Sequence, residues 1–160
     1  MVGKEGRADP LHIAQLMAEE HVTLTHFVPS EYLTLLNYGQ HILKHGQAWR
    51  IALSAGEKMG HEECKAFREL ECERLQLING YGPAEITIAC ARGLVPYRTD
   101  ADVVASSDYL RPSPNYLVEM RDQQMNIVSV GFTGEICISG PSRALGILIA
   151  PKRRNRSLSR

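Results

Sequence analysis

Residues 79–85, Asn-Gly-Tyr-Gly-Pro-Ala-Glu, place an amide, two glycines, an aromatic ring and a single carboxylate in one short stretch. Glycines let a backbone approach a flat ligand closely, and a tyrosine ring offers a stacking face. An acid beside them can hold Mg²⁺, which in turn bridges phosphate oxygens. Together these types suit a nucleotide and its metal. On the residues alone a second reading stays open, with Glu85 a solvated acid at a strand start and Gly80 a turn glycine. Two other nucleotide motifs are excluded. No G-x-x-x-x-G-K-[ST] loop occurs, and Gly80-x-Gly82-x-x-Glu85 ends on an acid where a dinucleotide fold needs close helix packing.

The elements that must position this stretch follow from periodicity and punctuation. Asp9-Pro10 suits the start of a helix running to about Glu20, with Leu11, Ala14 and Met17 on one side. His21 to Val28 is β-branched and reads as a strand. Ser30 is expected to cap a second helix through Leu33, Leu36 and Ile42 to Gly46. Trp49 to Ser54 is a second strand, residues 55–60 a turn, and a third helix carries Cys64, Phe67 and Leu70. Leu75 to Ile78 is the third strand. Such alternation predicts an α/β fold, part of a helix-covered parallel sheet with strands near 22–28, 49–54 and 75–78. Parallel sheets bind ligands outside the carboxyl ends of their strands. Those ends carry HFVPSE, ALSAGEKMG and INGYGPAE. As neighbours, the three strands would line one crevice.

Beyond Glu85, the alternation of Ile86, Ile88 and Cys90 predicts a short strand, and residues 96–115 read as loop. Tyr116–Met120, Ile127–Val130 and Gly134–Ser139 follow as strands of an antiparallel β subdomain, with a turn at Gln123–Asn126. The expected organisation is residues 1–110 as the α/β part, 111–146 as the antiparallel part and 147–160 as a basic, disordered tail.

The totals bound the class. With 160 residues, 44% hydrophobic and 22% charged, the chain is of ordinary globular make-up. Five of the 18 basic residues and none of the 18 acids lie in 152–160, leaving the body with 13 against 18, a balance of −5. Such a body offers no nucleic-acid surface. No apolar run spans a membrane and the first residues lack a signal-peptide core, so a cytoplasmic protein with no nucleic-acid or membrane partner is expected. Cysteines 64, 72, 90 and 137 show no C-x-x-C spacing and are expected reduced. His61-Glu62-Glu63 reads as the acidic first turn of a helix.

Residues 79–85 resemble the N-x-Y-G-P-T-E motif of the adenylate-forming superfamily, most closely the adenylation domains of nonribosomal peptide synthetases. THFVPSEYLTLL and ALSAGEKM are similar to the strand ends preceding that motif, and GEICISGPSRALG to the later G-E-[LI]-x-I-x-G motif. All four occur in the family's order and cover most of residues 10–146. The resemblance implies that Asn79 and Tyr81 contact and stack on the adenine of ATP with Gly56 on the other side of the ring. It places Gly80, Gly82 and Ala84 at the nucleotide and gives Glu85 a catalytic role through the Mg²⁺ of ATP. It lines a substrate pocket with His26, Leu53, Ala55, Gly80, Ile88 and Ala89, although core roles for His26, Leu53 and Ile88 remain open. The implied reaction joins an amino-acid or other carboxylate to the α-phosphorus of ATP. The acyl group then passes to the phosphopantetheine thiol of a carrier-protein domain.

The chain departs from the pattern at Ala84, where the family has Thr, and at Ile147, where it has Tyr. The family's phosphate loop, its substrate-amine and ribose aspartates and its mobile lysine-bearing domain have no counterpart in these residues. The expectation is a fragment of the ligase that does not adenylate alone. The alternatives are a non-catalytic nucleotide- or protein-binding remnant, or a fragment of an acyl-CoA synthetase-like enzyme.

Overall fold

A computed structural model describes residues 9–44, 48–99 and 110–146. The basic tail of 147–160, residues 100–109 of the loop expected over 96–115 and the predicted end of the second helix at Gly46 lie outside those residues.

Asp9 caps the first helix, α1 (Pro10–Glu19), by accepting the N–H of Leu11 at 3.0 Å and of His12 at 3.3 Å. β1 (Leu24–Phe27) leads into α2 (Pro29–Leu43), β2 (Ile51–Ala55), α3 (His61–Glu69) and β3 (Gln76–Tyr81). The helix–strand alternation is as the sequence predicts, with shifted bounds. Pro29, whose fixed φ suits a first helical position, opens α2 in place of a Ser30 cap, and the Val28 N–H donates to Glu31 Oε2 at 3.2 Å. The face of α2 that is buried carries Tyr32, Leu35, Leu36 and Leu43, with Leu33 only half-buried. α3 buries Glu63, Cys64 and Phe67 and starts on the predicted acidic turn.

Contacts divide the chain into two compact units, Met1–Gly80 with Gly93–Leu110, and Tyr81–Arg92 with Arg111–Arg160. In the first, β1 and β2 pair in parallel with His26 opposite Leu53. β2 and β3 do the same, with Ser54 opposite Asn79 and Ala55 opposite Gly80. The core lies between this sheet and its helices. Tyr32, Trp49, Phe67 and Tyr97 pack ring against ring, with Tyr32 and Phe67 centroids 5.2 Å apart and Phe67 and Tyr97 5.9 Å apart. The polar ends of Tyr32 and Trp49 are satisfied. Trp49 Nε1 donates to Thr25 Oγ1 (3.0 Å), Thr25 Oγ1 and the Tyr32 hydroxyl share a bond of 2.8 Å, and Tyr32 donates to the Leu53 carbonyl at 3.2 Å. Burying three polar aromatic or hydroxyl groups without this relay would cost about 1–3 kcal/mol each.

Two sequence expectations fail for the same reason. β3 does not end at Ile78 but runs through Asn79, Gly80 and Tyr81, because β2 alongside supplies backbone partners as far as Ala55. Conversely, Ile86–Cys90 forms no strand. Ala84–Ile86 is a short 3₁₀ helix, and Thr87 and Ile88 take φ of 56° and 72°. The Cys90 N–H donates to the Tyr81 carbonyl at 2.9 Å, so the excursion is pinched shut at its base. Alternating residue types do not register as a strand when no neighbour pairs with them.

β4 (Ala91–Leu94) pairs antiparallel with β5 (Arg111–Pro112), and the strand order of the mixed sheet is β1-β2-β3-β4-β5. β6 (Leu117–Arg121) and β7 (Glu135–Ser139) form a separate antiparallel pair. Between them Asp122 accepts the N–H groups of Gln124 (2.9 Å) and Asn126 (2.8 Å), which makes the predicted turn an Asx turn and lowers the Asp122 pKa. The predicted strand over Ile127–Val130 is reduced to a single bridge between Ile127 and Arg121. Among the described residues no helix is long and apolar enough to cross a membrane, and all four cysteines are free thiols.

Candidate functional site

Alternation along a strand sends successive side chains to opposite faces. His26, Leu53, Ala55 and Gly80, four positions that the resemblance assigns to the substrate pocket, therefore share one face of the parallel sheet, at the carboxyl end of its strands. Gly80 is buried in that face and closely packed. A Cβ there would stand 3.2 Å from the Ala55 Cβ and 3.4 Å from Leu53 Cδ1. It is a strand glycine rather than a turn glycine. His26 is exposed, which removes the reading of a core histidine, while Leu53 is half-buried. Asn79 stands beside Ser54, on the helix-covered face opposite to Gly80.

The turns that follow β1 and β2 are tied together. The Glu57 carboxylate accepts the Ser30 N–H at 3.1 Å and the Ser30 hydroxyl at 3.0 Å, so one acid spans two strand ends. Gly56 precedes it with φ of 94°, in the left-handed region, and a Cβ there would also meet Val28 Cγ1 at 3.2 Å. Beneath the same turn, the Glu63 carboxyl is fully buried. Its Oε1 accepts the Ser54 hydroxyl at 2.6 Å, whereas Oε2 has no partner. Sequence reading placed Glu63 only in an acidic first turn, expected Ser30 as a helix cap and gave no role to the side chains of Glu57 or Ser54. The recurrence of two acids six positions apart around the glycines is the one signal available.

The second unit holds Tyr81, Gly82, Ala84, Glu85, Ile88 and Ala89 in one excursion. Tyr81 is 38% exposed, leaving ring surface for stacking, and Ile88 is 64% exposed, which removes the core reading for it. Gly82 is required by crowding, since a Cβ would lie 2.7 Å from the Ala89 Cα and 2.9 Å from the Ile88 carbonyl oxygen. Ala89 is buried. The later motif reaches back to this excursion. The Ala144 N–H donates to the Glu85 carbonyl at 2.6 Å, and the Thr87 hydroxyl donates to the Ser142 carbonyl at 3.0 Å. Two of the four resembling stretches are thus hydrogen-bonded, a contact that spacing along the chain did not reveal.

Among the described residues no group of three or more histidines, cysteines or acids gathers to hold a metal by itself. Mg²⁺ is commonly held by one or two carboxylates, with waters and substrate phosphates completing the octahedron. Glu85 fits that pattern. It is half-buried, and its tie to Ala144 uses the backbone carbonyl rather than the carboxylate.

A family model described as AMP-binding enzyme matches residues 1–148. The PKS-NRPS hybrid synthetase cheA of Chaetomium globosum is 38% identical over 146 residues, which is 91% of this chain and 3% of that protein. Equisetin synthetase eqxS of Fusarium heterosporum is also 38% identical over 146 residues, 91% of this chain and 4% of its own. Among solved structures IdnL1 superposes with a TM-score of 0.86 at 21% identity, covering 99% of this chain and 32% of IdnL1, a likeness of fold alone. PA1221, an NRPS protein containing adenylation and PCP domains, gives 0.77 at 25% identity over 96% of this chain and 30% of its own. The chain thus spans 3–4% of the length of those curated relatives and about a third of those solved structures. With the family model covering nearly all of it, the chain belongs to the AMP-binding enzyme family, and its residues correspond to part of an adenylation domain of the nonribosomal peptide synthetase kind.

Proposed function

We propose that this chain supplies part of the ATP- and carboxylate-binding surface of a cytoplasmic ligase that activates an amino acid as its adenylate. The acyl group then goes to the phosphopantetheine thiol of a carrier-protein domain. The observation that carries the reading is the common sheet face of His26, Leu53, Ala55 and Gly80, at the strand ends where parallel sheets take their ligands. The curated relatives are PKS-NRPS synthetases, which favours this reading over an acyl-CoA synthetase.

In it, the Tyr81 ring stacks on adenine, and Asn79 and Gly56 contact the base. Glu85 is the carboxylate that holds Mg²⁺, whose charge offsets that of the phosphates. Gly80 and Gly82 admit the ligand and the backbone that encloses it. The sheet face of His26, Leu53, Ala55 and Gly80 receives the substrate side chain, and the resemblance assigns Ile88 and Ala89 to substrate contact as well. Ala84 offers no hydroxyl to a phosphate, a loss worth about 1.5–3 kcal/mol where such a bond is made to a charged group.

Calorimetric titration of the 160-residue chain with ATP tests the reading. Binding that strengthens with Mg²⁺ is expected. Tyr81→Ala should weaken it about tenfold, within the range of a lost stacking contact, and Glu85→Gln should remove the Mg²⁺ dependence. Absence of binding, or binding indifferent to both substitutions, overturns the reading. Substrate-dependent ATP–pyrophosphate exchange by the same chain is expected to be absent.

A further inference from the structure

Glu63 is a buried acid outside the roles assigned above. It is fully enclosed on α3, its Oε1 is fixed by the Ser54 hydroxyl of β2 at 2.6 Å, and its Oε2 has no donor. The groups facing it electrostatically are Glu57 from the turn, Tyr32 from α2 and its own neighbour Cys64. None is a cation. A buried carboxylate with one side-chain hydrogen bond and no counter-charge is held cheaply only while it carries its proton. Burial first, and then the Glu57 charge, push its pKa up to about 7, against the Ser54 hydroxyl and the Gly60 backbone, which pull it down.

The location gives this a consequence. Ser54 and Glu63 bracket residues 55–60, the turn that carries Gly56 at φ of 94° and the Glu57 clasp on Ser30. We propose that Glu63 is a proton-operated latch. Uncharged, it seats α3 on β2 and fixes the turn of Gly56–Gly60. Ionised, it draws in water and frees that turn. The latch stands on the packing of the first unit alone. Only its meaning for a nucleotide rests on the function proposed above, through Gly56.

Hydrogen exchange of the full chain, read by mass spectrometry on peptides covering residues 55–63, tests the latch at about pH 5.5 and about pH 8 after correction for intrinsic exchange. Protection of these amides should fall about tenfold at the higher pH in the wild type, while α1 changes little. Glu63→Gln should show equal protection at both values. Ser54→Ala, which removes the bond favouring the charged form, should move the midpoint of release to higher pH. A structural role for Ser54 without a titrating Glu63 would leave that midpoint where it is. Equal protection of the wild type at both pH values overturns the proposal, even if Glu63→Gln fails to fold. So does an equal loss in Glu63→Gln, and neither result depends on ATP binding.

Discussion

The helix-covered parallel region and the Tyr81–Arg92 and Arg111–Gly146 region keep their shape by different means. In the first, Tyr32, Phe67, Leu70 and Leu77 are at or near complete burial, and the helices are set by caps and apolar spacing. In the second, Ile127, Val130, Phe132 and Leu145 are exposed, Phe132 at 73%, and the shape comes from backbone hydrogen bonds between segments far apart in sequence. Packing fixes the one, and long-range ties fix the other. The first region carries the candidate sheet face of His26, Leu53, Ala55 and Gly80, and the second carries Tyr81 and Glu85.

That contrast can be broken or sharpened by substitution. The largest effect is expected in the aromatic core, where Phe67→Ala should cost about 3–5 kcal/mol in urea unfolding. Phe132→Ala should change stability by less than about 0.5 kcal/mol. Similar losses at both would mean that the second region has a core of its own.

Next comes the pH dependence. Burial raises the Glu63 pKa from its ordinary 4.5 to about 7, so the folded state binds the extra proton between those values. Stability is therefore full below about pH 4.5, declines as pH rises and levels off above about 7. The loss is at most roughly 3 kcal/mol. Urea midpoints across that range, with Glu63→Gln as the flat reference, measure it.

Gly56→Ala should cost about 1–2 kcal/mol through the left-handed backbone, read as a lower melting temperature. A smaller effect belongs to the second region's ties. Thr87→Val removes one hydroxyl donor to Ser142 and should cost about 0.5–1.5 kcal/mol, seen as faster exchange of the amides in residues 84–90. The Cys64 thiol, which burial pushes up to about 12, should resist alkylation in the folded chain.

What the sequence made legible follows the same division. The order of helices and strands in the first region was readable because caps and apolar periodicity are local, as at Asp9-Pro10 and across Cys64, Phe67 and Leu70. The extent of β3 was not, because the partners of Asn79 and Gly80 lie more than twenty residues earlier, at Ser54 and Ala55. The strand expected over Ile86–Cys90 failed because the Tyr81–Cys90 closure and the ties to Ser142 and Ala144 outweigh alternation. The residues on the sheet face were assigned to a pocket only through the family motifs. Glu63 was placed on its helix, but only coordinates reveal that its acid is buried.

The most direct test of the nucleotide reading is photolabelling of the 160-residue chain with 8-azido-ATP and Mg²⁺, followed by tryptic mapping. Label should concentrate on the peptide Leu75–Arg92, which carries Tyr81 and Glu85, or on Ile51–Lys58, which carries Gly56, and excess ATP should abolish it. Label confined to other peptides, or label that ATP does not displace, would contradict the assignment.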